Sequence, residues 1–173
     1  MEPMPSIFFA DGPAGPVGAA YLVTFVLGCV VGSFVNVCIY RLPRDRSVVT
    51  PPSHCPQCGV RLTARHLVPL LSFLLLGRKC ARCGAPISWR YFAVEAVTGL
   101  VFVGIWRACG PSAQVIAWWV FAAAMIAVVF TDLDHMIIPD KLVLAGAAAA
   151  VASEGLAAVS GGPHLLAIPA WIS

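Results

Sequence analysis

Cys55, Cys58, Cys80 and Cys83 form two Cys-x-x-Cys pairs, each followed at once by a glycine, Gly59 and Gly84. Soft thiolates at that spacing, with a glycine free to swing the backbone, are the donor set of a tetrahedral metal site. Four of them close the shell of one Zn²⁺ ion and leave no position for substrate, so the implied zinc is structural. The 21 residues between Cys58 and Cys80 run slightly past the usual ribbon spacing of about 15–20, and the apolar insert Leu67 to Leu76 accounts for the excess. Two disulfides are the alternative if the loop faces an oxidising compartment. A redox pair would need a strand and helix pattern that neither cysteine pair has. His54 could replace a ligand or stand as a solvated loop histidine. Cys29, Cys38 and Cys109 read as small hydrophobes.

The second chemical constellation is acidic. The run from Thr131 through Asp132, Leu133, Asp134 and His135 to Pro139, Asp140 and Lys141 puts three carboxylates where an apolar stretch ends. Ionisable groups at a bilayer edge are costly against lipid and are functional candidates by default. Asp140 is explained by the positive end of a following helix that Pro139 would start. Asp132 and Asp134 stand about 200° apart on a helix, so they form no catalytic pair unless the helix ends between them. Asp132 closes the apolar run most directly and is the expected chemical residue, in a desolvated setting; a polar helix terminus among headgroups is the competing reading. Glu95, about one turn inside its own apolar stretch, is expected to pair with a nearby arginine. Ser33 and Asn36 share a helix face near Gly28 and Gly32, which suits close helix contact.

The elements that must hold these groups are membrane helices. The 173 residues are 60% hydrophobic and 11% charged, with mean hydropathy +0.87, far from soluble composition. Four stretches, Val17 to Tyr40, Tyr91 to Trp106, Val115 to Thr131 and Leu142 to Val159, approach the roughly 20 residues that a crossing needs. A fifth, His164 to Ser173, is too short. The expected fold is an all-α integral membrane bundle of four transmembrane helices plus a short apolar tail, with a small zinc-ribbon-like loop. Its parts are a tail over 1–16, a first helix over 17–40, a four-cysteine loop over 41–90 and a membrane region over 91–173.

No lysine or arginine precedes Arg41, so the first stretch is expected to remain as an anchor. Nine of the eleven basic residues lie between Arg41 and Arg90, Arg107 falls in the second turn and Lys141 in the third. Positive charge stays inside, which puts the N-terminus outside and the four-cysteine loop in the cytoplasm. The net charge of +3 therefore reflects topology and anionic lipid rather than nucleic acid. Leu67 to Leu76 could rest on the membrane surface or pack against the knuckle or bundle.

Several strings coincide with one family: Gly32-Ser33-Phe34-Val35-Asn36-Val37, Tyr40-Arg41-Leu42-Pro43, both cysteine pairs, Pro69-Leu70-Leu71-Ser72-Phe73, Cys83-Gly84-Ala85-Pro86-Ile87-Ser88, Val94-Glu95, and Asp132-Leu133-Asp134-His135 through Ile138-Pro139-Asp140. The chain resembles the type IV prepilin peptidases, bilayer aspartic proteases of pilus and type II secretion systems. The resemblance implies a bacterial inner-membrane enzyme that cuts the leader of prepilins or pseudopilins. It also implies a possible N-methylation with S-adenosylmethionine, an activity associated with forms carrying the cysteine loop. It assigns the first catalytic aspartate to Asp132, which leads the family's Asp…Ile-Pro-(Asp or Asn) pattern, here with five residues before Ile138. The family's second aspartate lies in a later Gly-x-Gly-Asp motif; after Asp140 this sequence holds Glu154 as its one acid. An aspartic dyad needs two carboxylates sharing a proton. The expectation is a chain lacking the C-terminal half of the family pattern that does not cleave alone. A non-enzymatic module whose zinc knuckle binds a partner is the alternative.

Overall fold

The computed structural model describes residues 16–55, 57–61 and 68–160, so most of the expected tail over 1–16 and the apolar tail His164 to Ser173 lie outside it. It consists of α1 (Pro16–Arg41), the short α2 (Leu71–Leu75), α3 (Trp89–Cys109), α4 (Gln114–His135) and α5 (Asp140–Ser160). A single 3₁₀ turn, Leu42–Arg44, continues α1. Among the described residues no strand forms, and extended pairing is limited to isolated bridges between His54 and Arg61 and between Lys79 and Pro86. All four long helices are long and apolar enough to cross a membrane, as the sequence implies.

Local chemistry explains where the helices stop. The Ser88 hydroxyl accepts the Arg90 amide at 3.3 Å, capping α3 two residues before its expected start. Met136 takes a left-handed φ of 52° and its amide bonds the Asp132 carbonyl at 2.7 Å. That turn closes α4 after His135, four residues beyond the expected limit. Pro139 stands just ahead of α5, not in its first turn. Its carbonyl accepts the Leu142 amide at 2.9 Å, and Asp140 is the first helical residue.

The long helices are apolar on most of their circumference, with Leu22, Val23, Leu100, Ile116, Leu144 and Val151 all exposed. In lipid such faces give no hydrophobic drive toward one another, so association depends on close packing and hydrogen bonds. Glycine supplies the closeness. A Cβ on Gly28 would stand 2.7 Å from the Gly99 Cα, and one on Gly32 would stand 2.8 Å from the Glu95 Cα. α1 and α3 therefore touch backbone to backbone. Val35, Ile39, Val94, Ala127 and Leu142 form the core where α1, α3, α4 and the start of α5 meet.

Aromatic and polar locks complete the bundle. Trp119 of α4 stacks on Phe102 of α3 at 5.0 Å, and its ring N–H donates to the Phe102 carbonyl at 3.1 Å. Toward the other side of α4, the Gln114 amide donates to the Ser153 carbonyl of α5 at 3.1 Å. Gly146 of α5 sits under Met125, whose Cε would be 2.9 Å from an added Cβ.

Gly28→Val should lower the thermal midpoint of the detergent-solubilised chain, with overpacking of about 1–3 kcal/mol. Gly104→Ala, where no atom lies within 4 Å of the new Cβ, should leave the midpoint unchanged or raise it slightly. Circular dichroism melting of both variants checks the contrast.

Candidate functional site

Two near-identical backbone turns build the cysteine cluster. In the first, the Cys55 amide bonds the Val60 carbonyl and the Gly59 amide returns to the Cys55 carbonyl, each at 2.9 Å. In the second, Cys80 bonds Ala85 at 2.8 Å and Gly84 returns to Cys80 at 2.9 Å. Gly59 and Gly84 hold φ of 67° and 70°, left-handed values that cost a Cβ-bearing residue strain. The four Sγ atoms converge to within 4.8 Å of one another. Tetrahedral Zn–S bonds of about 2.3 Å imply sulfur separations of about 3.8 Å, and Cys55 and Cys83 stand 3.9 Å apart. The residues fit zinc, and all seven cysteines are free.

Without a cation the cluster is electrostatically divided. Backbone N–H groups of Cys83 and Arg82 pull the Cys80 thiol down to about 6. The Ala85 amide also pulls Cys83 down, but burial and the Cys58, Cys80 and Cys55 thiols outweigh it and push Cys83 up to about 11. Four thiolates cannot coexist without a positive charge between them, which is the condition a divalent ion meets.

The knuckle roofs a cavity of about 600 Å³ whose lining joins cysteine-loop residues such as Cys55, Val60 and Ile87 to the adjoining ends of α1 and α3. Its floor is polar. Glu95, buried, accepts the Leu70 amide at 2.8 Å and interacts with the Ser33 hydroxyl. Among the described residues the expected pairing of Glu95 with an arginine does not form; Arg90 instead pairs with Asp134 of α4. Five helical positions separate Arg90 from Glu95, about 140° of rotation, so the two face different neighbours. Asn36 donates its amide to the Tyr91 carbonyl at 3.1 Å, which makes α3 the partner in the expected close helix contact, and Asn36 also lines the cavity.

Of the placements left open for it, α2 takes the one against the bundle. Phe73 is buried against Trp89 and Phe92 at 5.1 and 5.3 Å, while Leu71, Leu74 and Leu75 face outward. Leu70 ahead of it has φ of 57°, strained for a leucine by roughly 1–3 kcal/mol. The Glu95 carboxylate holds that amide in place. Nothing in the local sequence signals this contact, because it joins residues 25 apart through an unusual backbone angle.

The acidic end of α4 is fastened at two points. Asp134 pairs with Arg90 at the start of α3, and His135 lies 3.3 Å from the Arg44 guanidinium beyond the end of α1. α4 runs unbroken through His135, so Asp132 and Asp134 do point to different sides. Asp132 is exposed rather than desolvated as its position suggests, because the rotation that gives Asp134 to Arg90 turns Asp132 away from α3. The structure thus brings the four cysteines together and leaves Asp132 outside their cavity.

Residues 26–109 match the bacterial peptidase A24 N-terminal domain, the segment that holds the later part of α1, the knuckle, the cavity floor and α3. The chain is 43% identical over 141 residues to a prepilin leader peptidase/N-methyltransferase of Myxococcus xanthus (strain DK1622), covering 82% of this chain and 42% of that protein. It is 36% identical to the Bacillus subtilis (strain 168) protein of the same name over 70% of this chain and 49% of that one. The chain belongs to the prepilin peptidase family. It spans about half the length of these relatives. With four apolar helices, this prepilin peptidase homologue is a multi-pass bacterial membrane protein. No solved structure matches it.

Purified chain should contain one zinc per polypeptide by elemental analysis, and Cys55→Ser or Cys80→Ser should lose it. Either substitution removes one of the four thiolates that closure of the shell requires. The helical circular dichroism signal should persist in both.

Proposed function

We propose that this chain forms the knuckle-bearing part of a prepilin leader peptidase/N-methyltransferase and supplies Asp132 as one of the two carboxylates that cut prepilin or pseudopilin leaders. The observation that carries this reading is the double fastening of the α4 end, Asp134 to Arg90 and His135 to Arg44. It holds the α4 end that carries Asp132 at the same level as the ends of α1 and α3 that carry the knuckle, so both features address one membrane face. The face is the cytoplasmic one, because nine of eleven basic residues lie between Arg41 and Arg90. The membrane is the bacterial inner membrane, with the N-terminus outside.

In an aspartic dyad one carboxylate takes a proton from water while the other gives one to the scissile carbonyl. Asp132 fills one role from an exposed helix end. A second carboxylate, from a further segment or another chain, completes the pair. Zinc at Cys55, Cys58, Cys80 and Cys83 is structural and shapes the loop over residues 41–90. S-adenosylmethionine, when bound, supplies an electrophilic methyl group for the new N-terminus. Asp134 is a positioning residue whose pairing with Arg90 sets the rotation of α4.

A leader-cleavage assay on this chain alone should show only background turnover. Combined with a polypeptide that carries the family's Gly-x-Gly-Asp segment, it should cleave, and Asp132→Asn should return the rate to background. Robust cleavage by the chain alone, or cleavage surviving Asp132→Asn, contradicts the reading. If the combination stays inactive, the partner-binding alternative is favoured.

Topology has its own check. In intact cells an impermeant maleimide should label Cys109, at the end of α3 remote from the knuckle, and should spare Cys58 and Cys83. In inside-out vesicles stripped of zinc the pattern should reverse.

A further inference from the structure

The 21 residues of α3 rise about 31 Å at 1.5 Å each, close to the roughly 30 Å of a hydrocarbon core. Trp89 therefore stands at one boundary, with its ring more than half exposed at the level where tryptophan is enriched in membrane proteins. Glu95 lies six residues further in, about 9 Å along the axis. Its side chain leans back toward the helix start, so the Leu70 amide that it holds at 2.8 Å sits between those two levels, inside the boundary. From there the chain climbs out again. Phe73 packs on Trp89 and Phe92, the Arg78 guanidinium lies over the Trp89 ring at 4.7 Å, and the Arg78 carbonyl accepts the Ile87 amide at 2.7 Å. Residues 68–79 thus dip below the end of α3 and return to it.

In hydrocarbon a backbone N–H has no water to bond and must find an acceptor in the protein. The amides of Leu70, Ser72, Leu74, Leu76, Arg78 and Lys79 all have one, and the Ser72 hydroxyl donates to the Val68 carbonyl at 2.7 Å. In a solvated loop water would serve the Leu70 amide, and a leucine held at φ 57° against a buried carboxylate would gain nothing. Outward from this dip point Leu71, Leu74 and Leu75, 53, 61 and 77% exposed, continuing the apolar outer surface of α3. Arg78, Lys79 and Arg82 follow them, all exposed, and no Asp or Glu occurs between Asp45 and Glu95. That charge suits lipid phosphates just above the boundary. A stable protein partner needs about 800 Å² from each side, of which three leucine side chains offer a fraction.

We propose that residues 68–79 are a re-entrant segment seated in the bilayer leaflet on the knuckle side, with acyl chains against Leu71, Leu74 and Leu75 and phosphates against Arg78 and Lys79. The bilayer is then a direct partner of the cysteine loop as well as of the four spans, and Glu95 is the group that makes an irregular turn tolerable at that depth.

The test is photocrosslinking in native membranes of two full-chain variants, Leu75→p-benzoylphenylalanine and Arg82→p-benzoylphenylalanine, with zinc content checking the fold. Intact mass should show a phospholipid adduct from position 75 at a yield several-fold above that from position 82. A cross-link from position 75 to a second copy or to another protein, or an adduct yield no greater than at position 82, overturns the proposal. Should the Leu75 variant lose zinc, the unaltered chain in phospholipid vesicles decides. An apolar carbene reagent dissolved in the bilayer should tag residues 71–75 as heavily as the exposed Leu100 region of α3; tagging no heavier than that of the knuckle peptides overturns the proposal. Neither readout involves Asp132 or leader cleavage, so the protease reading stands or falls separately.

Discussion

Backbone contact between α1 and α3 is the constraint on which the remaining structure depends. Lipid offers no gain for bringing two leucine-rich faces together, so these helices join only where Gly28, Gly32 and Gly99 let their axes approach. That approach brings Asn36 within hydrogen-bond reach of Tyr91 and sets Ser33 beside Glu95. A methyl group at Gly32 would push against the Glu95 backbone itself. The polar floor of the cavity is therefore a product of the same closeness that binds the helices.

A second layer is built outward from this pair. Glu95 holds the amide of Leu70 in a strained conformation, which starts α2 and seats Phe73 against Trp89 and Phe92. Arg41, buried at the end of α1, donates to the carbonyls of Ser47 and Pro51 at 2.9 and 2.7 Å. The loop is thus tied down at both flanks, by a carboxylate on one helix and a guanidinium on the other. Individually such contacts contribute little, about 1 kcal/mol net for a typical hydrogen bond, but they act on the same segment. α4 adds its acidic end through Arg90 and Arg44, and the Asp134 pairing matters more for helix rotation than for stability.

Much of this was legible in the sequence where one physical rule acted alone. Hydrophobic length located four helices, and cysteine spacing with Gly59 and Gly84 located the knuckle. The small-residue face of α1 announced a close helix contact, and the structure supplies α3 as the partner. Helix ends were less legible: Ser88 and Met136 moved the limits of α3 and α4 by a few residues through capping and a left-handed turn, which hydropathy does not register. The partners of charged groups were least legible. Glu95 had several arginines within plausible reach, and only the rotation of α3 decides that Arg90 turns to α4 while Glu95 turns to Leu70. Asp132 shows the same limit, since its exposure follows from which face of α4 the Arg90 pairing selects.

The hydrogen bond from Asn36 to Tyr91 joins helices that flank the whole cysteine loop. Residues 42–88 are consequently a segment whose two ends are held together by the helices that flank it. Closing a free loop of that length would lose about 3 kcal/mol of chain entropy, and here the membrane helices remove that loss in advance. Metal capture then has to organise only the interior of an already cyclised stretch. The spans thus bear an entropic cost that a free loop of the same length would have to meet from its metal alone.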